Sequence, residues 1–254
     1  YITFFFLSLL ASFYLNRYIN NLFVGNKLTD PVNERSSHKS PATRSGGISV
    51  FFAICLMCAL GVSSGILTVP LYLVLSIFFL TLTGFADDLI SIRYREKIFL
   101  QVFAAVLMLQ AGYSIDSFHG VFGIYELPYW LEIMTSLFVF VVVVNSLNLL
   151  DVLDGLASFI SIKFFLIVGG IILVSNNEWF LFFPIIISAL IGFLWFNFNR
   201  NKKVFLGDAG SLFLGTLMAF FIFYILDSES NVITDSLISR PLLAILLLLY
   251  PLID

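Results

Sequence analysis

Nine long apolar runs, separated by short polar segments, constrain this chain more than any other feature. An α-helix needs about 20 apolar residues to cross a bilayer, with a range of roughly 17–25. The runs lie at residues 1–18, 48–66, 69–85, 98–112, 131–147, 156–174, 179–196, 211–226 and 242–254. The fourth run is short and the ninth is broken. The pattern predicts an all-α, polytopic membrane bundle of about nine transmembrane helices, forming one integral membrane domain over residues 1–254.

The composition excludes a soluble protein. Apolar residues make up 60% of the chain and charged residues only 11%, whereas soluble domains contain about 25% charged residues. One soluble core could not bury this much apolar surface, so the lipid bilayer is the expected surrounding. The net charge of -3 gives no indication of a nucleic-acid partner. Because Tyr1 and Asp254 both lie within apolar runs, we expect both ends to be cut.

The basic residues predict the orientation of the bundle. Eleven of them lie in alternate connections: Arg17, Lys27, Arg35, Lys39, Arg44, Arg93, Arg95, Lys97, Arg200, Lys202 and Lys203. The remaining connections contain only one basic residue, Arg240, and they contain the acidic residues Asp116, Glu126, Glu178, Asp227, Glu229 and Asp235. Because basic loops stay in the cytoplasm, we expect a multi-pass protein of the inner membrane whose amino terminus faces out. Residues 113–129 would then form an outer segment, with a small hairpin as one option.

Four polar clusters fall at the predicted cytoplasmic ends of these runs. They cover residues 33–47, 84–97, 145–155 and 205–211. Polar groups near membrane depth are costly, so their placement indicates a function. Although the clusters are distant in sequence, the predicted topology brings all of them to one face. We therefore expect the active site at the cytoplasmic face.

The two middle clusters contain acids and amides. Asp87 and Asp88 are adjacent, and Lys97 lies close enough in sequence to reach back over the same surface. A solvated acidic pair at a helix end is the alternative. The other cluster repeats a polar residue at every third position: Asn145, Asn148, Asp151 and Asp154, followed by Gly155. Leaving these groups without partners would be costly, and such oxygen ligands suit Mg²⁺, which also uses phosphates and water.

The last cluster precedes the eighth run and reads Phe205 to Ser211. Gly207 and Gly210 would let a ligand approach the backbone closely. Asp208 or Ser211 could instead cap the helix, and the helix amino terminus would itself favour an anion.

The first cluster, a loop before the second run, and three isolated residues are less informative. His38, Lys39 and Arg44 could contact phosphates or simply be positive-inside residues. Cys55 and Cys58 form a C-x-x-C inside an apolar run, and we interpret them as inert thiols. His119 is expected to have no catalytic role.

Together the four clusters resemble the polyprenyl-phosphate N-acetylhexosamine-1-phosphate transferase family, glycosyltransferase family 4. The resemblance covers nearly the whole chain, in the order and spacing of the family, whose members have ten or eleven spans. The matches are Ser36-Ser37-His38 to Pro41, Arg44, Gly46-Gly47, Gly84-Phe85-Ala86-Asp87-Asp88, the Asn145 to Gly155 repeat, and Phe205-x-Gly207-Asp208-x-Gly210-Ser211. The first loop is more similar to the branch that transfers GlcNAc-1-phosphate to undecaprenyl phosphate and initiates O-antigen than to the peptidoglycan branch.

The chain departs from the family pattern in three places. Val152 stands where the family usually has Gly, and residues 41–44 read Pro-Ala-Thr-Arg instead of Pro-Thr-Pro-Arg. The family also continues past the ninth span into a loop with a His-rich or His-x-Arg motif. This motif is absent from the present chain, so the fragment alone could be inactive.

The resemblance implies roles for individual residues. Asp208 and Asn148 would hold Mg²⁺, with Mn²⁺ as a substitute, and Lys97 would stabilise the phosphates. Asp154 would hold the uracil and Phe205 would stack on it. Asp87 and Asp88 would lie near the lipid phosphate, one of them as a candidate base. The remaining residues implied in substrate binding are Asn145, Asp151, His38 and Arg44.

The implied reaction transfers a sugar 1-phosphate from a UDP-N-acetylhexosamine to undecaprenyl, or another polyprenyl, phosphate and releases UMP. Because the second pKa of a phosphate is about 6, the attacking oxygen is already ionised, which favours direct attack over an aspartyl-phosphate intermediate. The alternatives are a phospho-N-acetylmuramoyl-pentapeptide transferase, a cation-coupled transporter and a non-catalytic lipid-binding relative. The apolar outer surface makes a homodimer possible.

Overall fold

The structure, a computed structural model, describes residues 1–29, 42–174, 178–199, 203–228 and 239–253. Nine α-helices lie in these ranges: α1 (Ile2–Gly25), α2 (Gly46–Ser63), α3 (Leu71–Ile90), α4 (Tyr94–Gln110), α5 (Tyr129–Leu150), α6 (Leu156–Val174), α7 (Phe182–Asn197), α8 (Gly207–Leu226) and α9 (Arg240–Ile253). Short 3-10 helices at Val121–Gly123 and Glu178–Leu181 precede α5 and α7. The predicted all-α bundle is confirmed.

The lengths of the helices agree with passage through a membrane. Seven of them are long and apolar enough to cross one, when α7 is taken together with the 3-10 turn before it as a span of 19 residues, Trp179–Asn197. The other two are α4, with 17 residues, and α9, with 14. These are the helices that correspond to the short fourth and the broken ninth apolar runs. The protein is therefore a multi-pass membrane protein.

The centre of the bundle is α8. Every residue of this helix is buried except Asp208, and it packs against α2, α3, α5, α6 and α9. Small residues let helices approach closely within a membrane. A β-carbon added at Gly215 of α8 would lie 2.8 Å from the Cα atom of Val144 in α5. Helix α8, which begins at the fourth polar cluster of the sequence, is thus in contact with other helices on almost every side.

Helix α1 attaches to α7 through hydroxyl groups as well as apolar contacts. Ser8 donates to the carbonyl of Ile185 at 2.8 Å, and Ser12 donates to that of Ala189 at 2.6 Å. Such hydrogen bonds between helices help to hold membrane bundles together, because lipid offers polar groups no partner. The pairing fixes α1 beside α7.

One end of the bundle, called here the basic end, is where α1, α3, α5 and α7 finish and α2, α4, α6 and α8 begin. Two connections are joined there by backbone hydrogen bonds. Phe205 donates to the carbonyl of Thr43 at 2.8 Å, and Gly46 and Gly47 donate to the carbonyls of Phe205 and Leu206. This pairing fixes the start of α2 against the segment that leads into α8.

At the opposite end, residues 113–129 fold back on themselves. Leu127 donates to the carbonyl of Asp116, and Gly120 donates to that of Ile124, both at 2.9 Å. The predicted small hairpin is therefore present as a folded-back loop with a 3-10 turn. His119, predicted to have no catalytic role, lies in this loop, and its Nε2 atom is 2.9 Å from the carbonyl of Leu226.

Candidate active site

The ammonium group of Lys97 is the centre of the polar cluster at the basic end. It lies 2.8 Å from Oδ2 of Asp87 on α3 and 3.4 Å from Oδ1 of Asn148 on α5. It also forms an ion pair with Asp208 on α8. Lys97 itself is in the first turn of α4. Four helices that are distant in sequence thus bring one basic and three oxygen-bearing side chains together, as the topology predicted.

Asp208 and Asn148, the predicted metal ligands, are neighbours in this cluster. Asn148 donates through Nδ2 to Oγ of Ser211 at 2.8 Å, which turns its carbonyl oxygen toward Lys97. Asp208 remains partly open, with 26% of its side chain exposed. One oxygen of Asp208 and the carbonyl oxygen of Asn148, which come from different helices, therefore point at the same place. The Lys97 ammonium group occupies that place in the structure.

This donor set fits Mg²⁺ only as part of a larger complex. Within the described residues, no group of three or more His, Cys, Asp or Glu side chains could hold a metal ion. Protein-bound Mg²⁺ commonly has only one or two carboxylates and completes its octahedron with phosphates and water. Asp208, Asn148 and the nearby Asp87 supply oxygens of the right kind. A diphosphate would have to supply the rest.

Asp88 occupies a different position from its neighbour Asp87. Its two carboxylate oxygens accept hydrogen bonds from the backbone amides of Asp208 and Ala209, both at 3.1 Å. Its side chain is only 2% exposed, and Arg44 lies 3.5 Å away. An acid at a helix amino terminus is favourable because the free amides and the helix dipole attract it. Asp88 therefore caps α8 from α3, and neither Asp208 nor Ser211 supplies that cap.

Gly207 is needed for this cap. Its φ angle is +73°, a conformation that glycine adopts more readily than other residues. A β-carbon there would lie 2.7 Å from Oδ2 of Asp88. Sequence reasoning expected Gly207 and Gly210 to admit a ligand. In the structure both glycines instead allow close contacts within the protein, Gly207 with Asp88 and Gly210 with Gly47.

Asp151 follows the end of α5, in the turn that leads to α6. Burial raises the pKa of its carboxyl well above the usual value, and the negative charges of Asp208 and Asp88 raise it further. The backbone amide of Gly207 donates to it, and Arg44 is near; both oppose the shift. Asp151 thus adds a fourth carboxyl to the cluster.

We expect Asp151→Asn to stabilise the protein at neutral pH. A carboxyl whose pKa is higher in the folded than in the unfolded chain stabilises most below the unfolded value of about 3.9. The stabilisation by Asp151 is lost as the pH rises through its raised pKa. Asn at this position does not titrate, and its carbonyl oxygen can still accept the hydrogen bond from the Gly207 amide. Thermal unfolding between about pH 5 and pH 8 should show a weaker pH dependence in the variant. Glu126→Gln, at the opposite end, is the control, and equal slopes in wild type and Asp151→Asn would contradict the expectation.

Asn145 lies deeper in the bundle than the other members of its cluster. It exchanges two hydrogen bonds with Gln101 of α4, at 2.6 and 3.2 Å, and its amide also donates to the carbonyl of Val141. Gln101 is fully buried and was not predicted as part of the site. Its signal in the sequence is a polar residue one turn after Lys97 in an apolar run. This pair fixes α4 to α5 directly beneath Lys97.

Asp154 and Phe205, the predicted uracil-binding pair, are connected by a third residue. Lys203 forms an ion pair with Asp154, and its ammonium lies 5.3 Å from the centre of the Phe205 ring. That distance is within the range of a cation–π interaction. The sequence predicts Lys203 only as a positive-inside residue, although its position two residues before Phe205 is a signal for this contact.

The turn that carries Asp154 ends at Gly155, where the predicted break in the helix is found. Gly155 has a φ of +70°, and a β-carbon there would lie 2.8 Å from the Phe198 ring. Val152, which departs from the family pattern, is 82% exposed and points away from the cluster. His38 lies outside the described residues, and its predicted role stays a prediction.

The fold and the site thus define a multi-pass membrane protein with a cluster of carboxylates and amides around one lysine ammonium at one end of its bundle. The family described as glycosyl transferase family 4 matches residues 70–226, which is more than half of the chain. The chain belongs to this family, and the predicted resemblance is confirmed.

Several curated relatives carry names that are consistent with this family. A probable undecaprenyl-phosphate N-acetylglucosaminyl 1-phosphate transferase of Bacillus subtilis is 27% identical over 226 residues, covering 83% of this chain and 59% of the relative. A phospho-N-acetylmuramoyl-pentapeptide-transferase of Prochlorococcus marinus is 30% identical over 238 residues, covering 86% and 65%. A protein of that same name from Streptococcus agalactiae is 35% identical, covering 68% and 53%. The chain spans less than two thirds of the length of these relatives.

Proposed function

We propose that this protein transfers an N-acetylhexosamine 1-phosphate from a UDP-sugar to undecaprenyl phosphate, or another polyprenyl phosphate, and releases UMP. The proposal rests on the position of Lys97, whose ammonium group is held by Asp87, Asn148 and Asp208 at the end of a membrane bundle. A lipid phosphate in the bilayer and a nucleotide in water can both reach that position. The family and the relatives named above support this reading.

We place the basic end in the cytoplasm and the protein in the inner membrane. The support is the distribution of Lys and Arg, which accumulate in connections at that end and follow the rule for cytoplasmic loops. A transporter would have its acids near the bilayer midplane, at interrupted helices. Asp87 and Asp208 lie instead at helix ends. This placement favours a membrane-surface enzyme over transport.

The reaction brings two anions together, so positive charge must dominate catalysis. A bound Mg²⁺, or Mn²⁺ in its place, would supply charge that stabilises the diphosphate as its bond breaks. Asp208 and Asn148 would hold it. Lys97 would donate to phosphate oxygens from the same side. Arg44, beside Asp88, would add positive charge for the lipid phosphate, and His38 would contact that phosphate.

Direct attack is the proposed mechanism. An oxygen of the lipid phosphate forms a bond to the phosphorus that bears the sugar, and the bond from that phosphorus to the bridging oxygen breaks, so that UMP leaves. The contacts of the acids support this route. The Asp87 oxygens accept from Lys97 and from the amide of Ile92, and both Asp88 oxygens accept from α8. Neither carboxylate is presented as a free nucleophile, and trapping of a phosphorylated enzyme with UDP-sugar alone would overturn this mechanism.

Recognition of the base is proposed for Asp154, Phe205 and Lys203. Uracil presents an N3–H donor and carbonyl acceptors on one edge. A carboxylate and an ammonium held side by side match that pattern, and an aromatic ring beside them offers a stacking surface. Lys203 would thus both position Asp154 and donate to a uracil carbonyl.

Lys203→Met is expected to raise the KM for the UDP-sugar about tenfold with little change in kcat, because it removes binding shared by ground and transition states. Lys203→Arg, which retains the charge, should recover most of the affinity. Arg95→Met removes a basic residue from the same end without touching the cluster and is the control. A fall in kcat at unchanged KM would place Lys203 at the phosphates instead.

The experiment that tests the proposed function is release of UMP from a panel of UDP-sugars with undecaprenyl phosphate as acceptor. Transfer from UDP-N-acetylglucosamine would establish the GlcNAc branch, whose members start O-antigen or related cell-envelope polymers. Transfer only from UDP-N-acetylmuramoyl-pentapeptide would establish the alternative, which the Prochlorococcus and Streptococcus relatives favour. Absence of UMP release with every donor, measured with the full-length parent of this chain, would favour a non-catalytic lipid-binding relative. Size measurement in detergent would test the proposed homodimer.

A further inference from the structure

Lys163 is an ionisable residue on the outer face of a membrane helix. It lies seven residues after Leu156, the first residue of α6, and its side chain is exposed. The exposed residues of α6 form a single stripe at helical spacing: Phe159, Lys163, Leu166, Ile167, Gly170, Leu173 and Val174. Except for Lys163 and Gly170, every residue of that stripe is apolar. The stripe faces lipid, and the lysine lies within it.

This position is unusual for a charged group. Charged residues at membrane depth nearly always face the bundle interior and pair with one another or with backbone carbonyls. Lys163 forms no ion pair or hydrogen bond with any residue that the structure describes. It is also not part of the Lys97 cluster, which side chains of α3, α4, α5 and α8 form. The partner for its charge therefore lies outside the residues that the structure describes.

The depth of Lys163 in the membrane indicates which part of the bilayer its partner occupies. Seven residues of helix place its Cα about 10 Å from the start of α6. An extended lysine side chain reaches roughly 6 Å, from five bonds of about 1.5 Å. Lysine near a helix end extends toward the interface in this way. The ammonium can thus reach the level of lipid headgroups in the leaflet at the basic end.

Aromatic residues of α7 complete the same surface. The Phe159 and Phe198 rings are 5.9 Å apart, which joins the exposed stripe of α6 to that of α7. The exposed residues of α7 are Ile191 and Trp195, Phe198 follows directly after the helix, and Trp195 is 69% exposed. Tryptophan is common at the membrane interface, where its ring lies in the headgroup region and its N–H can donate. A cation and an indole donor therefore lie on one lipid-facing surface.

We propose that this surface, formed by Phe159 and Lys163 of α6 with Trp195 of α7 and the following Phe198, binds an anionic phospholipid. The lipid phosphate accepts from the Lys163 ammonium and the Trp195 indole, and an acyl chain lies along Leu166, Ile167 and Ile191. The argument for a lipid is charge complementarity at headgroup depth on a surface that is otherwise apolar. The occupant would lie next to the turn that carries Asp154, because Gly155 packs against Phe198.

The test is quenching of Trp195 fluorescence by brominated phospholipids in reconstituted bilayers. Trp130→Phe removes the other exposed indole, and Trp179 is buried and stays. Brominated phosphatidylglycerol should quench Trp195 with about a fivefold preference over brominated phosphatidylcholine, the ratio expected from one basic residue near the surface. Lys163→Leu should lower that preference to about one, and Lys163→Arg should preserve it. A leucine fits a lipid-facing stripe, and an unchanged unfolding midpoint would confirm that the variant folds.

Arg95→Leu removes an exposed charge from the basic end but not from this surface, so it should leave the preference unchanged. An equal preference in wild type and Lys163→Leu would overturn the proposal. Failure of either lipid to quench Trp195 would also overturn it, because the surface would then be covered by protein such as a second copy. Loss of the preference in millimolar inorganic phosphate would show a general anion site instead of a lipid site. None of these outcomes depends on transfer activity, so this test and that of the proposed function fail independently.

Discussion

Asp208→Asn is expected to reduce the rate of sugar-phosphate transfer by about a thousandfold, the scale on which removal of a single group stabilising the transition state reduces catalysis. The substitution keeps the shape of the side chain but removes the charge that pairs with Lys97. The divalent-cation dependence of the residual activity should disappear with it, because Asp208 is the only carboxylate among the proposed metal ligands. Rates measured across a Mg²⁺ titration, for wild type and variant, check both parts.

The control for Asp208→Asn is Asp116→Asn. Asp116 lies at the opposite end of the bundle, where it accepts a hydrogen bond from the backbone amide of Ser228 at 3.1 Å. It therefore reports on any general effect of losing an acid from this membrane protein. Near-normal transfer by Asp208→Asn, or a retained response to Mg²⁺, would show that the metal site is misassigned. Asp208→Ala should behave like the Asn variant, since both lack the carboxylate.

The sequence predicted which segments meet but not how each side chain is used. Apolar runs and basic loops were enough to place residues 84–97, 145–155 and 205–211 at one end, because helices of fixed rise must return there. They could not separate Asp87 from Asp88. Consecutive residues of a helix point about 100° apart, and only the packing of α8 against α3 decides that Asp88 caps a helix while Asp87 contacts Lys97.

The same limit explains why the contacts of Asn145 and Lys203 could not be predicted from the sequence. The every-third pattern placed Asn145 with the site, but that pattern winds around the helix, and Asn145 is turned to Gln101 of α4. Its partner lies 44 residues away, so no local signal identifies the pair. Lys203 was one of several basic residues at the basic end, and only the structure shows that it contacts Asp154. Roles that depend on contacts between helices were therefore the part that sequence could not provide.

Lys97→Met is expected to abolish transfer and, at the same time, to strengthen binding of a divalent cation to the protein without nucleotide. In the structure the Lys97 ammonium lies among Asp87, Asn148 and Asp208, which is where a metal held by Asn148 and Asp208 would be attracted. A lysine ammonium and a divalent cation at about 4 Å repel by roughly 8 kcal/mol at an effective dielectric constant of 20, because the repulsion of two unit charges is doubled. Relaxation of a flexible lysine reduces this figure, so a gain of at least about tenfold in affinity is a conservative expectation.

Mn²⁺ titration followed by electron paramagnetic resonance measures that affinity directly. Lys97→Arg keeps the charge and should bind Mn²⁺ as weakly as wild type, which separates charge from shape. The Met variant also leaves Asp87 and Asp208 facing each other without a cation, and such like-charged pairs are destabilising. Its unfolding midpoint should therefore fall in a chelator and recover when Mg²⁺ is added, because a ligand that binds only the folded state stabilises it. Unchanged Mn²⁺ affinity in Lys97→Met would show that the ammonium and the metal occupy separate places.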